Sequence, residues 1–148
     1  MRLIKFIVMF LIINTTPQDY LEVILAQSNK ILRKRKKSKN FFNAENLVPL
    51  LDNLLKVDQG ELSQLSGLGV VTGPGSFSSI RTALTVARVL AWILELPLVG
   101  IKREEFTDNQ DLVDKIYFRL TYNPSHYFPQ PYYGKEPNIT QRKKKLIR

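Results

Sequence analysis

Apolar and polar positions change their period several times along this chain, and each change marks an element. Residues 3–13, LIKFIVMFLII, are apolar at nearly every position. A strand covered on both faces gives that run. A targeting segment is the other reading, since Arg2 precedes it, but it is too short to cross a bilayer and no small-residue cleavage site follows. Residues 20–27 alternate, Ser28, Asn29 and Lys30 supply turn chemistry, and residues 31–39 continue extended, so a hairpin is predicted. In residues 44–57, Leu47, Leu50, Leu51, Leu54 and Leu55 recur at helical spacing, with Asn43 as N-cap and Glu45, Asp52, Asn53 and Lys56 opposite. Pro49 sits inside this pattern and predicts a kink or a shortened first part.

Residues 70–100, VVTGPGSFSSIRTALTVARVLAWILELPLVG, are the most informative stretch. Val70 and Val71 predict a short interior strand. Gly73 and Gly75 are free to take positive φ around Pro74, and Ser76 is placed to cap a helix that starts near Phe77. The helix runs to about Glu95, Pro97 stops it, and residues 98–101 resume extended structure. This is a strand, turn, helix and strand unit, which implies a right-handed crossover between parallel strands.

On a helical wheel, Arg81, Thr85, Arg88, Trp92 and Glu95 form one narrow stripe. Apolar residues fill roughly 220° of the remaining arc, about twice what one sheet covers. The surplus needs a second cover, either another helix of this chain or a helix of a partner. Residues 44–57 supply a companion, and two such helices make half of an intermolecular four-helix bundle.

Further on, residues 108–120 predict a short helix with Leu112, Val113, Ile116 and Leu120 on one side. Glu104, Glu105, Asp108, Asp111 and Asp114 form an acidic cluster that favours a helix start, or else holds a cation. Residues 123–137 are rich in proline and tyrosine and predict an extended arm on this domain or on a partner.

Composition narrows the picture. The chain has 148 residues, 44% of them hydrophobic, enough for one domain with a core. It has no cysteine, which excludes disulfides and thiolate metal sites. Its one histidine, His126, lacks partners at ligand spacing and reads as a surface or packing residue. The net charge is +9. Much of it sits in two runs, Arg33, Lys34, Arg35, Lys36, Lys37 and Lys39, then Arg142, Lys143, Lys144, Lys145 and Arg148. The first is either a protected sheet edge or a contact for RNA phosphates.

The ordered motifs resemble the TsaB family of bacterial tRNA threonylcarbamoyladenosine biosynthesis proteins. GPGSFSSIR, through Gly73, Pro74, Gly75, Ser76, Phe77 and Arg81, is similar to the family's G-P-G-S-F-T-G-x-R. Pro97, Val99 and Gly100 match the strand after its helix. AENLVPLLDNLL resembles the family's H-S/A-E-x-L-L-P-x-I helix, and FLIINTTPQDYLEVIL resembles its opening strand and hairpin. PQPYYGKEPNIT resembles the way family chains end. Asn14 stands where the family usually has Asp, Phe42 near its usual His, and Ser79, Ala83 and Val89 replace family glycines. Members usually carry a second lobe of comparable size, so the resemblance implies a reduced form.

The fold it implies is α/β, a single lobe of the actin-like ATPase (ribonuclease-H-like) fold. It would hold a mixed five-stranded sheet with an antiparallel start and two main helices. Residues 1–106 would form that lobe, 107–123 a short helix, and 124–148 a Pro/Tyr-rich, then basic tail. The implied role is a noncatalytic, cytoplasmic subunit that binds no cofactor or metal and has no membrane contact. It would support a TsaD-like catalytic subunit by helix packing and reach a TsaE-like ATPase through the complex, which modifies the adenosine beside the anticodon. The expected interface is Leu47, Leu51, Leu54, Ile80, Leu84, Ala87, Arg88 and Ala91, on which a homodimer could also form. Arg33, Lys34, Arg35, Lys36 and Lys37 are the candidate RNA contacts. Two alternatives stand beside this: a basic nucleic-acid-binding module without TsaD, and a divergent glycoprotease-like enzyme.

Overall fold

A computed structural model describes residues 8–39, 46–122 and 129–134. Strands β1 (Met9–Asn14), β2 (Tyr20–Gln27) and β3 (Lys30–Ser38) come first, then helices α1 (Leu47–Leu54) and α2 (Glu61–Gln64). Strand β4 (Leu65–Gly73), helix α3 (Phe77–Leu94), strand β5 (Leu98–Lys102) and helix α4 (Asn109–Tyr122) complete the fold. The sheet order is β3-β2-β1-β4-β5. The first three strands pair antiparallel, while β4 runs parallel to β1 and β5. This is the expected mixed five-stranded sheet with an antiparallel start.

The continuous apolar run of β1 is explained by its place in the middle of this sheet. Every residue from Met9 to Asn14 is buried, and alternate side chains enter different cores. Met9, Leu11 and Ile13 join Leu21, Val23 and Leu25 beneath α1 and α3. Phe10 and Ile12 join Ile24, Ala26, Val71, Val99 and Ile101 beneath α4. The rest of the predicted run, residues 3–7, lies outside the described residues.

Several expectations need correction. Helix α1 starts at Leu47, so of the two expectations for Pro49 the shortened first part is the one found: Pro49 is the third residue, where an N–H has no partner inside the helix anyway. The proposed cap Asn43 lies outside the described residues. Strand β4 is longer than predicted and takes in Gly67 and Gly69. Their missing side chains make room for α4. A Cβ on Gly67 would lie 2.7 Å from Leu120, and one on Gly69 2.8 Å from Ile116. The helix read as an addition after the lobe is thus a third main helix. It closes the second face of the sheet with the expected residues Leu112, Val113, Ile116 and Leu120.

Candidate functional site

The glycine-proline turn joins the end of β4 to α3. Gly73 has φ 135°, and the Tyr132 carbonyl oxygen lies 1.7 Å from where its Cβ would be. Only glycine fits there. Gly75, expected to share that backbone freedom, is not among the positive-φ glycines. Space is tight there instead, since a Cβ would stand 3.2 Å from the Thr16 Cα. Ser76 caps α3 as expected, its Oγ accepting from the Ser79 N–H at 3.3 Å and donating to the Ser79 Oγ at 2.6 Å.

Strand β1 is tied to the same turn. Thr15 donates its hydroxyl to the Ser79 carbonyl at 2.9 Å. Asn14 accepts from the Thr16 N–H at 3.0 Å and from the Thr16 hydroxyl at 2.6 Å. Both bonds use the Asn14 side-chain oxygen, an acceptor that Asp also offers. A cleft of about 520 Å³ opens here, lined by Thr16, Gln18, Lys39, Gly75, Ser76, Ser78 and Ser79. Its cation is turned inward: Lys39 donates to the carbonyls of Thr15 and Pro17, the latter at 2.6 Å. Burial holds the Lys39 ammonium below the usual lysine range. The geometry is that of a braced turn.

Residues 129–134 cross the outside of this turn, and they are the part of the predicted arm that is described. The Tyr132 N–H donates to the Thr72 carbonyl at 2.9 Å. Arg88 donates to the Pro129 carbonyl at 2.6 Å. The Phe77 and Tyr133 rings stack with centroids 4.2 Å apart. His126 lies outside the described residues.

Helix α3 has two unlike sides, and the expected interface is on the wrong one. Leu47, Leu51 and Leu54 of α1 and Ile80, Leu84, Ala87 and Ala91 of α3 are all 0–5% exposed, packed in the core over β1, β2 and β4. Alanines at positions 83, 87 and 91 bring α3 close to the sheet, so that stripe turns inward. Arg88 is half-buried and anchors the strap of residues 129–134. The outward side carries Arg81, Thr85, Val89, Trp92 and Ile93. Val89 is 48%, Ile93 61% and Trp92 78% exposed, and Val48 on α1 is exposed too. By length and composition α3 passes for a bilayer-crossing helix, yet its alanine stripe forms part of this domain's core.

The basic run divides by strand alternation. Arg33 and Arg35 face α1. The Arg33 guanidinium pairs with Glu61 and donates to the Leu54 carbonyl at 3.0 Å, and Arg35 donates to the Asn53 side chain at 3.1 Å. Burial raises the Glu61 carboxyl, but the Lys56 N–H and the Arg33 guanidinium outweigh it and hold the carboxyl below the usual range. Lys34, Lys36 and Lys37 are exposed. The second basic run, from Arg142 to Arg148, lies outside the described residues.

The acidic cluster is structural. Asp108 accepts from the Asp111 N–H at 2.8 Å and Glu105 from the Lys102 N–H at 2.7 Å, which braces the approach to α4. Among the described residues, no group of three or more His, Cys, Asp or Glu could hold a metal ion. One residue escaped the sequence reading altogether. Glu22 is 2% exposed. It stands opposite Asn14 across β1 and β2, accepts from Asn109 at 2.6 Å and lies 3.5 Å from Lys36. It tethers the start of α4 to the sheet. A lone acid inside the apolar strand YLEVILAQ was the available signal.

A family model described as "TsaD: tRNA N6-adenosine threonylcarbamoyltransferase" matches residues 36–107. A "tRNA N6-adenosine threonylcarbamoyltransferase" of Syntrophus aciditrophicus is 39% identical over 61 residues, 41% of this chain and 18% of that protein. The "tRNA threonylcarbamoyladenosine biosynthesis protein TsaB" of Escherichia coli K12 is 29% identical over 59 residues, 40% of this chain and 26% of that protein. The chain thus spans about a fifth to a quarter of the length of these curated relatives. Among solved structures, YeaZ from Pseudomonas aeruginosa superposes with a TM-score of 0.56 at 24% identity. The match covers 64% of this chain and 43% of YeaZ, and it supports the actin-like lobe.

Proposed function

We propose, from the premise that this chain is TsaB-like, that it acts in tRNA threonylcarbamoyladenosine biosynthesis as a noncatalytic subunit that docks a TsaD-like catalytic protein. The observation that carries this reading is the outward side of α3. Val89, Trp92 and Ile93 lie in the second half of the helix that the GPGSF turn starts, and have no cover within the described chain. Exposed apolar side chains grouped on one helix face support an association surface, and an exposed tryptophan is a favoured anchor. A noncatalytic role is supported by the turn, whose Ser76 hydroxyl and Lys39 are occupied in bracing it. A TsaE-like ATPase would be reached through the catalytic subunit, in the cytoplasm.

The test is co-expression with the TsaD-like protein of the same genome, followed by affinity purification and mass measurement. The expected result is a heteromeric complex. Trp92→Glu with Ile93→Asp should weaken it by about tenfold or more, the usual cost of losing a central aromatic anchor. A complex indifferent to both changes, or a chain that pairs only with itself, overturns this reading.

A further inference from the structure

The opposite edge of the sheet carries charge that the fold does not use. Among the described residues, strand β3 is an edge strand, paired only with β2. Six of its residues between positions 30 and 37 are basic. Arg33 and Arg35 are held by α1 and Glu61. Lys36 lies over the Tyr20 ring, 4.4 Å from its centroid, and beside Glu22. That leaves Lys30, Lys34 and Lys37 exposed, and none of them is in an ion pair among the described residues.

A lysine or two would suffice to keep an edge strand from pairing with another chain. Here the two fixed arginines add to the field of the free lysines. By strand alternation, Lys34 and Lys36 project on the α4 side and Lys37 on the α1 side. The charge therefore wraps around the edge and does not form a stripe on one face. A peptide adding as a sixth strand would need pockets for its alternate side chains. A polyanion needs only spaced cations and backbone N–H donors, and an open edge offers both.

We infer that the β3 edge binds an RNA phosphate backbone without reading its sequence. The choice of tRNA as that RNA rests on the function proposed above. The contact needs neither α3 nor the catalytic subunit, so the two readings can fail separately.

The experiment measures binding of a fluorescent, unmodified anticodon stem-loop by anisotropy, with the full chain alone and with its TsaD-like partner, from about 50 to about 300 mM KCl. Three free cations predict a slope of log K against log salt of about −2 to −3. Lys34→Gln with Lys37→Gln should lower affinity about tenfold at low salt and flatten the slope by about 1.5, with an unchanged urea midpoint. A variant neutralised at 142–145 should keep most of the binding. Slopes unchanged by the β3 substitutions, binding that follows 142–145 instead, or a polyglutamate peptide bound in place of RNA would each overturn the inference. An intact complex with RNA affinity indifferent to β3 sinks the edge and spares the subunit. RNA binding lost with β3 but without any complex supports the edge and sinks the subunit.

Discussion

Helices α3 and α4 close opposite faces of one sheet and treat their outer surfaces in opposite ways. Both fit tightly inside. For α4 the small residues are in the sheet, Gly67 and Gly69 beneath Leu120 and Ile116. For α3 they are in the helix, at Ala83, Ala87 and Ala91. Outside, α4 is dressed in charge. Arg119 pairs with Glu105 at 2.8 Å and Lys115 with Asp111 at 3.2 Å, while its exposed Phe118 and Tyr122 rest on each other at 4.9 Å. Helix α3 has no acidic residue at all and exposes Val89, Trp92 and Ile93. Sealing a sheet face thus does not require an apolar outer surface. The outer side of α3 calls for an explanation of its own, and a partner supplies one.

The sharpest way to break this contrast is to place one charge on each side of α3. Leu84 is 3% exposed and Trp92 78%. Leu84→Asp should cost about 4 kcal/mol or more, because a carboxylate would enter an apolar core without a partner. Trp92→Glu should stay within about 0.5 kcal/mol of the parent in urea unfolding. Equal losses from both would mean that the outer side belongs to the fold after all.

A smaller effect tests the inner side of α4. Gly69→Val must displace Ile116 or lift the helix. The expected loss is about 1–3 kcal/mol, the usual range for overpacking. The same urea series measures it, and hydrogen exchange should show faster opening in residues 112–120. Full tolerance of valine would mean that α4 is not held at the close distance its glycines allow.

The sequence disclosed the elements better than their sides. Continuous hydrophobicity over residues 9–13, alternation over 20–27 and helical spacing at 112, 113, 116 and 120 each predicted an element, and each element is found. The order of the sheet became legible only through the resemblance. The interface was misread because α3 is apolar around much of its circumference, so its period alone does not say which arc meets the sheet. That choice depends on the close approach its alanines allow, which is a property of the pair of surfaces. The glycines at 67 and 69 failed for the same reason. They read as a prelude to the strand, and the helix that needs them lies some fifty residues further on. Glu22 was missed because its partner Asn109 is still more distant, 87 residues away in sequence.

The smallest effect separates the two helices by pH. On α4, the Arg119 guanidinium holds the Glu105 carboxyl below the usual carboxylate range, against burial and with help from the Lys102 N–H. Because the folded pKa lies below the unfolded value of 4.5, this pair contributes fully above that pH. Its contribution fades as the pH falls through the folded pKa. The pair is about one-third exposed, so solvent screens it and the contribution should be about 0.5 kcal/mol. Glu105→Gln should therefore lower stability slightly at pH 7 and by less at an acid pH, as the parent carboxyl takes up its own proton. Urea midpoints of parent and variant at the two pH values measure this. Trp92→Phe on α3 should show no such convergence, since no carboxylate lies on that helix. A Glu105→Gln deficit that persists undiminished in acid would mean that shape, and not charge, holds this end of α4, and the contrast between the two outer surfaces would be weaker by that much.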